Sequence, residues 1–217
     1  VAPEGASLTR EWADQQRRLA DKVIEQDQLP QPLRTVAGVD AAFPERGRVT
    51  RAAAVLLSFP ELEPLEQAVV EQATTLPYIP GFLSFRELPA IRKALDGLSA
   101  TPDLVLCDGQ GRAHPRRLGI ACHLGVATGL ATIGVGKSRL CGRFDAPDSG
   151  KGSCQPLIDG EEVIGQVLRT RDGVRPVFVS VGHRVSLETA VELVLACTPR
   201  YRLPEPIRQA DRLAGAY

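Results

Sequence analysis

The sequence predicts a single α/β domain with a mixed sheet, its first three strands antiparallel, flanked by helices. Three observations carry this. Three β-prone runs (36–43, 49–59 and 65–74) follow one another with only turn residues between them. A strand–helix–strand passage over 103–135 then demands a parallel pair joined by a crossover. Apolar residues recur with helical spacing at 7–26, 82–98, 118–130 and 187–197. The 217 residues suffice for one sizeable core and are too few for two comfortable domains, so 1–217 is read as one unit.

Residues 7–26 are amphipathic. Leu8, Trp12, Leu19 and Val23 share a broad face, Ser7 stands at the N-cap, and Pro30 and Pro32 lie beyond the end. VAGVDAAF (36–43) is the first strand, with Asp40 in its middle. A carboxylate amid Val and Ala is costly unless it binds a cation or is well hydrogen-bonded. VTRAAAVLLSF (49–59) and LEQAVVEQAT (65–74) form a hairpin around Pro60 and an acidic turn. In PYIPGFLSFRE (77–87), Pro77 and Pro80 stiffen a loop that holds Tyr78 and Ile79 outward or over a cleft. Helix 82–98 puts Phe85, Leu88, Ile91 and Leu95 on one side, Glu87 near its start and Pro89 in its first turn.

The run Leu104–Cys107 is a buried strand ending on Asp108. Gly109 and Gly111 then turn the chain sharply toward His114, Arg116 and Arg117. Helix 118–130 (Ile120, Leu124, Ala127, Leu130) leads to the strand 131–135, which ends at Gly136-Lys137; His123, mid-helix, is expected to be structural. A polar loop (145–155) precedes β-prone segments at 156–170 and 176–181. Gly182-His183-Arg184 leads to Ser186, a good N-cap for helix 187–197, and a short helix follows YRLPEP (201–206).

Composition narrows the function classes. Lysine and arginine (26) balance aspartate and glutamate (26), so the whole chain is no polycation. The charge is unevenly spread. Residues 109–144 contain no acid, but hold Arg112, Arg116, Arg117, Lys137, Arg139 and Arg143. A locally basic face suits a polyanion docking at one place, and it offers Arg116, Arg117, Lys137 and Arg139 as phosphate-binding candidates. Five cysteines with no CxxC argue against a disulfide framework or structural zinc. No apolar run approaches membrane-spanning length and no signal-like stretch opens the chain, so a cytoplasmic protein that does not engage membranes is expected.

Asp40, Glu87 and Asp108 carry the chemistry. In a sheet of this order the first strand is central and pairs with the fourth, so Asp40 and Asp108 can converge. Carboxylates at one point repel unless a cation joins them, and such oxygen ligands suit Mg²⁺ or Mn²⁺. A hard divalent ion among carboxylates, beside cations, serves phosphoryl chemistry.

Five ordered motifs make the reading specific. VAGVD (36–40), PYIPGFLSFRE (77–87), DGQG with HPRRLG (108–119), IGVGKSRLCG (133–142) and GHRVS (182–186) resemble those of the endonuclease V family, and the resemblance spans nearly the whole chain. It implies an RNase H-like fold and a Mg²⁺-dependent DNA repair nuclease, with Mn²⁺ able to substitute. The family nicks the second phosphodiester bond 3′ to deoxyinosine, leaving 3′-hydroxyl and 5′-phosphate ends. By this resemblance Asp40 and Asp108 are the main metal ligands and Glu87 the third. His183 positions or activates the attacking water, or assists a second metal, and Lys137 contacts the scissile or adjacent phosphate. Pro77, Tyr78, Ile79 and Pro80 form a wedge that fills the space left in the stack. Gly81, Leu83, Gly109, His114 and Gly119 form the pocket that receives the flipped hypoxanthine. Gln110 takes the variable place of DGQG. The implied partner is DNA with deaminated bases, bound by a monomer. The alternatives are an inosine-specific endoribonuclease acting on RNA, a non-catalytic binder of deaminated nucleic acid, and an enzyme of small phosphoesters, which would have no use for a wedge.

Overall fold

The computed structural model describes residues 4–215, with side chains from residue 8. Strand β1 (Thr35–Ala42) lies inside the sheet, and its residues 36–39 are buried on both faces. β2 (Val49–Ser58) pairs antiparallel with β1, and β3 (Pro64–Ala73) with β2. On the other side, β4 (Leu104–Asp108) pairs parallel with β1 and β5 (Thr132–Gly136) parallel with β4. The antiparallel run β8 (Val177–His183), β7 (Glu162–Leu168) and β6 (Cys154–Asp159) completes an eight-stranded mixed sheet of order β3-β2-β1-β4-β5-β8-β7-β6. The expected fold class, with its antiparallel opening and its parallel β1–β4 and β4–β5 pairs, is present.

Helix α1 (Glu4–Ala20) opens before Ser7, which lies within the helix and not at its N-cap position. It also stops six residues earlier than its apolar spacing predicts. The segment beyond Ala20 is recruited elsewhere: the Ala20 carbonyl accepts from Arg112 Nη1 (3.1 Å), and Ile24 and Gln28 pair with the backbone around residue 184. α2 (Pro44–Gly47) is one tight turn with Glu45 and Arg46 at positive φ. In α3 (Leu83–Asp96), Pro89 stands in the second turn on the exposed side, not in the first turn. α4 (Ile120–Thr128) forms the crossover between β4 and β5. α5 (Leu187–Ala196) starts as predicted, with the Ser186 hydroxyl accepting the Thr189 N–H (3.2 Å). α6 (Glu205–Gly215) follows the YRLPEP turn.

Side chains alternate across the sheet, and that alternation places the site. Ala37, Val39, Val105 and Cys107 face α3 and α4. Val36, Leu104 and Leu106 face the other way, with Ile207 and Ala210 of α6. Asp40 and Asp108 share the parity of Val36 and Leu106, so both turn toward α6. The helix sits hard against β1: a Cβ on Gly38 would lie 2.0 Å from the Pro206 carbonyl oxygen. Among the described residues, no helix is long and apolar enough to cross a membrane.

Candidate active site

The carboxyl ends of β1 and β4 bring Asp40 and Asp108 together, where a doubly wound sheet presents its working residues. A third acid joins them from α6. One carboxylate oxygen from each of Asp40, Asp108 and Asp211 lies within 4.8 Å of the other two. Glu87 enters from α3 on the opposite side of the sheet, 8% exposed and close enough to feel both Asp40 and Asp108. Against these four acids stands Lys137, whose Nζ lies 2.6 Å from Asp108 Oδ2 and 3.5 Å from Asp211 Oδ1. Asp211 was not anticipated. A single acid in an amphipathic tail helix carries no local signal; the YRLPEP motif just ahead of it was the nearest pointer.

Burial and mutual repulsion set the protonation of this cluster. Burial first, and the neighbouring Asp108 second, push Asp40 up to about 8, against the opposing pull of the Ala41 N–H. Burial, joined by Asp40 and Asp108, pushes Glu87 up to about 8 as well. Asp108 is also raised by burial, with Lys137 working against it. Such a set is short of positive charge, and its hard oxygen donors fit a divalent cation of the Mg²⁺ or Mn²⁺ type. A stability prediction follows. Acids with raised folded-state values hold protons that the unfolded chain has released, so stability falls as pH rises from about 4 to about 8. In chelator, the Tm is expected to drop over that range. Asp40→Asn is expected to flatten the drop, raising Tm at pH 8 by a few degrees. Thermal unfolding at several pH values checks this, and an unchanged slope in the variant would count against it.

Beside the acids lies a cavity of about 310 Å³. Its walls include Asp108, Lys137, Gly109, Gly119, Ile120 and Leu83, with Tyr78, Gly81 and His114 also lining it. The five expected base-pocket residues thus line one space. Tyr78 stands 62% exposed, and Ile79 is half-buried beside it. Gln110 donates from Nε2 to the Ser138 carbonyl (2.9 Å), and its Oε1 is a buried acceptor with no hydrogen-bond partner among the described residues.

The sequence profile of the family described as Endonuclease V matches residues 17–212. A Nostoc punctiforme protein named endonuclease V is 55% identical over 201 residues, covering 93% of this chain and 91% of its own length. The chain belongs to the endonuclease V family. The Streptomyces avermitilis endonuclease V structure superposes with a TM-score of 0.89 at 45% identity, covering 94% of this chain and 90% of that one. Ciona intestinalis endonuclease V, solved with a 24-mer DNA containing an inosine followed by a ribo-adenosine, gives 0.84 at 31%, covering 96% of both chains.

Not every residue expected of an endonuclease V reaches this site. β8 runs antiparallel to β5, so His183 sits opposite Thr132 whereas Asp108 sits opposite Val135. Roughly 10 Å of strand separates the two positions. His183 Nδ1 accepts the Ile24 N–H (3.1 Å), a scaffold role at the far end of the sheet. His114 is buried, and burial pushes it down to about 4, leaving it neutral. Its Nδ1 accepts the Arg116 N–H (3.0 Å), so Nε2 carries the proton and donates to the Gly81 carbonyl (3.1 Å). Arg116 is spent on Gln16 and Gly81, and Arg117 pairs with Asp159 (3.0 Å) and Glu162 (2.9 Å). Lys137 and Arg139 are the phosphate candidates that line the cavity. His123 is structural as expected, with its Nδ1 2.9 Å from Ser84 Oγ.

Proposed function

We propose that this member of the endonuclease V family is a divalent-metal-dependent endodeoxyribonuclease that nicks the second phosphodiester bond 3′ to deoxyinosine, leaving 5′-phosphate and 3′-hydroxyl ends. The observation that carries the reading is the acid cluster with Lys137 at the mouth of a base-sized cavity. The inosine-containing DNA held by the Ciona relative supports the same substrate.

In this reading Asp40, Asp108 and Asp211 hold the cation, with Glu87 completing the negative set. When bound, a hard divalent ion polarises the phosphate, acidifies the attacking water and stabilises the leaving oxygen. The residues supply position and charge. Asp211, the most exposed of the four acids, orients the water, the task first given to His183. Lys137 balances Asp108 in the free protein and turns to a phosphate oxygen when substrate arrives, joined by Arg139 at the rim. Tyr78 and Ile79, between Pro77 and Pro80, take the place of the extruded nucleotide. Hypoxanthine differs from adenine in carrying O6 and N1–H, and fixed polar groups of the cavity wall built around Gly81, Leu83, Gly109, His114 and Gly119 would read that edge.

The test is a duplex with one deoxyinosine, titrated with Mg²⁺, Mn²⁺ and Ca²⁺, with the ends mapped. Nicking one nucleotide beyond the lesion in Mg²⁺ or Mn²⁺ is expected; binding without a nick in either would leave only a binder of deaminated nucleic acid. Because the Ciona ligand carries a ribonucleotide directly after its inosine, the second reading is cleavage of inosine-containing RNA. Matched RNA and DNA strands decide between them by relative rate.

A further inference from the structure

One atom of the 77–81 loop gathers the side chains of Gln16, His114 and Arg116. The Gly81 carbonyl oxygen accepts from Gln16 Nε2 (2.9 Å), Arg116 Nη2 (2.8 Å) and His114 Nε2 (3.1 Å). Two lone pairs ordinarily take two donors, so this oxygen is saturated. The donors are also joined to one another: Arg116 Nε donates to Gln16 Oε1, and the Arg116 N–H donates to His114 Nδ1. The Arg116 guanidinium lies 4.5 Å over the Phe82 ring, which packs against Trp12 of α1. Gly81 has φ +81°, and a Cβ there would come within 2.8 Å of Arg116 Nη2.

Gln16 is the unexpected member. It is fully buried on α1, with both ends of its amide engaged. An apolar residue would fill the same volume without the cost of burying an amide. The amide accepts from Arg116 and donates to Gly81 at once, which no apolar side chain can do. The residue also lies just outside the segment that matches the family profile.

We infer that Gln16 is a positioning residue for lesion recognition: with Arg116 and His114 it locks the Gly81 carbonyl, and so fixes the junction between the exposed Tyr78 loop and the cavity. The inference rests on the inosine-nicking reading. Opening a duplex step costs free energy, and a loop that yields under that load loses the work. An inosine in a single strand imposes no such load.

The test uses Gln16→Glu, which keeps an acceptor for Arg116 but sets oxygen against the Gly81 oxygen, and Gln16→Leu, which keeps volume alone. Single-turnover nicking is measured on one inosine strand, free and in a duplex. The duplex rate is expected to fall about tenfold or more, and the single-strand rate less than about threefold, as fits a lost charge-assisted hydrogen-bond set. Equal losses on both substrates, or no loss on the duplex, overturn the inference. If Gln16→Leu does not fold, Gln16→Glu decides. Amide exchange gives a readout independent of activity: the Phe82 N–H, bonded to the Ile79 carbonyl (3.0 Å), is expected to exchange faster in the variants. Unchanged exchange there overturns the clamp. A wild-type protein that nicks neither strand would instead sink the functional reading, and the exchange result would still judge the clamp.

Discussion

Asp108→Ala is expected to lower nicking of an inosine duplex by roughly a thousandfold or more, while binding of the uncut duplex survives. Asp108 ends β4 on the α6 face, where it meets Asp40 across the parallel pair and Asp211 from the helix. Removing it takes one donor from the proposed cation site and strips Lys137 of its 2.6 Å partner. Asp108 is one wall of the proposed lesion pocket, but the Tyr78 loop and most of that pocket come from other segments, so affinity has no reason to collapse. Single-turnover rates in Mg²⁺, beside duplex affinity in Ca²⁺, separate the two effects. A variant that nicks within tenfold of the parent would remove Asp108 from the chemistry, and Asp40→Ala should fail in the same way.

Asp211→Ala is expected to cost about a hundredfold in rate, whereas His183→Gln stays within about threefold. The contrast rests on place. Asp211 belongs to the acid cluster and reaches Lys137 at 3.5 Å, and its exposure lets water replace part of what is lost. His183 sits at the other end of β5, holding the Ile24 N–H. The apparent Mg²⁺ midpoint is expected to rise in Asp211→Ala alone. Were His183→Gln the inactive variant and Asp211→Ala active, the two roles would have to be exchanged.

Much of this was legible from local pattern. The alternating strands, the turn around Pro60 and the Ser186 cap are dictated by residues close in sequence, and each formed where expected. The meeting of Asp40 and Asp108 followed once β1 was placed beside β4. What escaped depends on partners far along the chain. The early end of α1 is set by Arg112 and the strand around residue 184. Arg117 reads as a free cation until Asp159 and Glu162 come into view from the β6–β7 hairpin. His183 follows a genuine motif, but sequence gives no sign of which way β8 runs, and its direction carries the imidazole away from the acids.

The bare Cα of residue 38 acts as a spacer gauge. With no methyl group there, the last helix beds directly on the central strand, and that contact sets how far its acid stands from the strand's own. A Gly38→Ala variant would keep every proposed ligand and lose their reach, loosening any grip on a divalent ion before the sheet itself gave way.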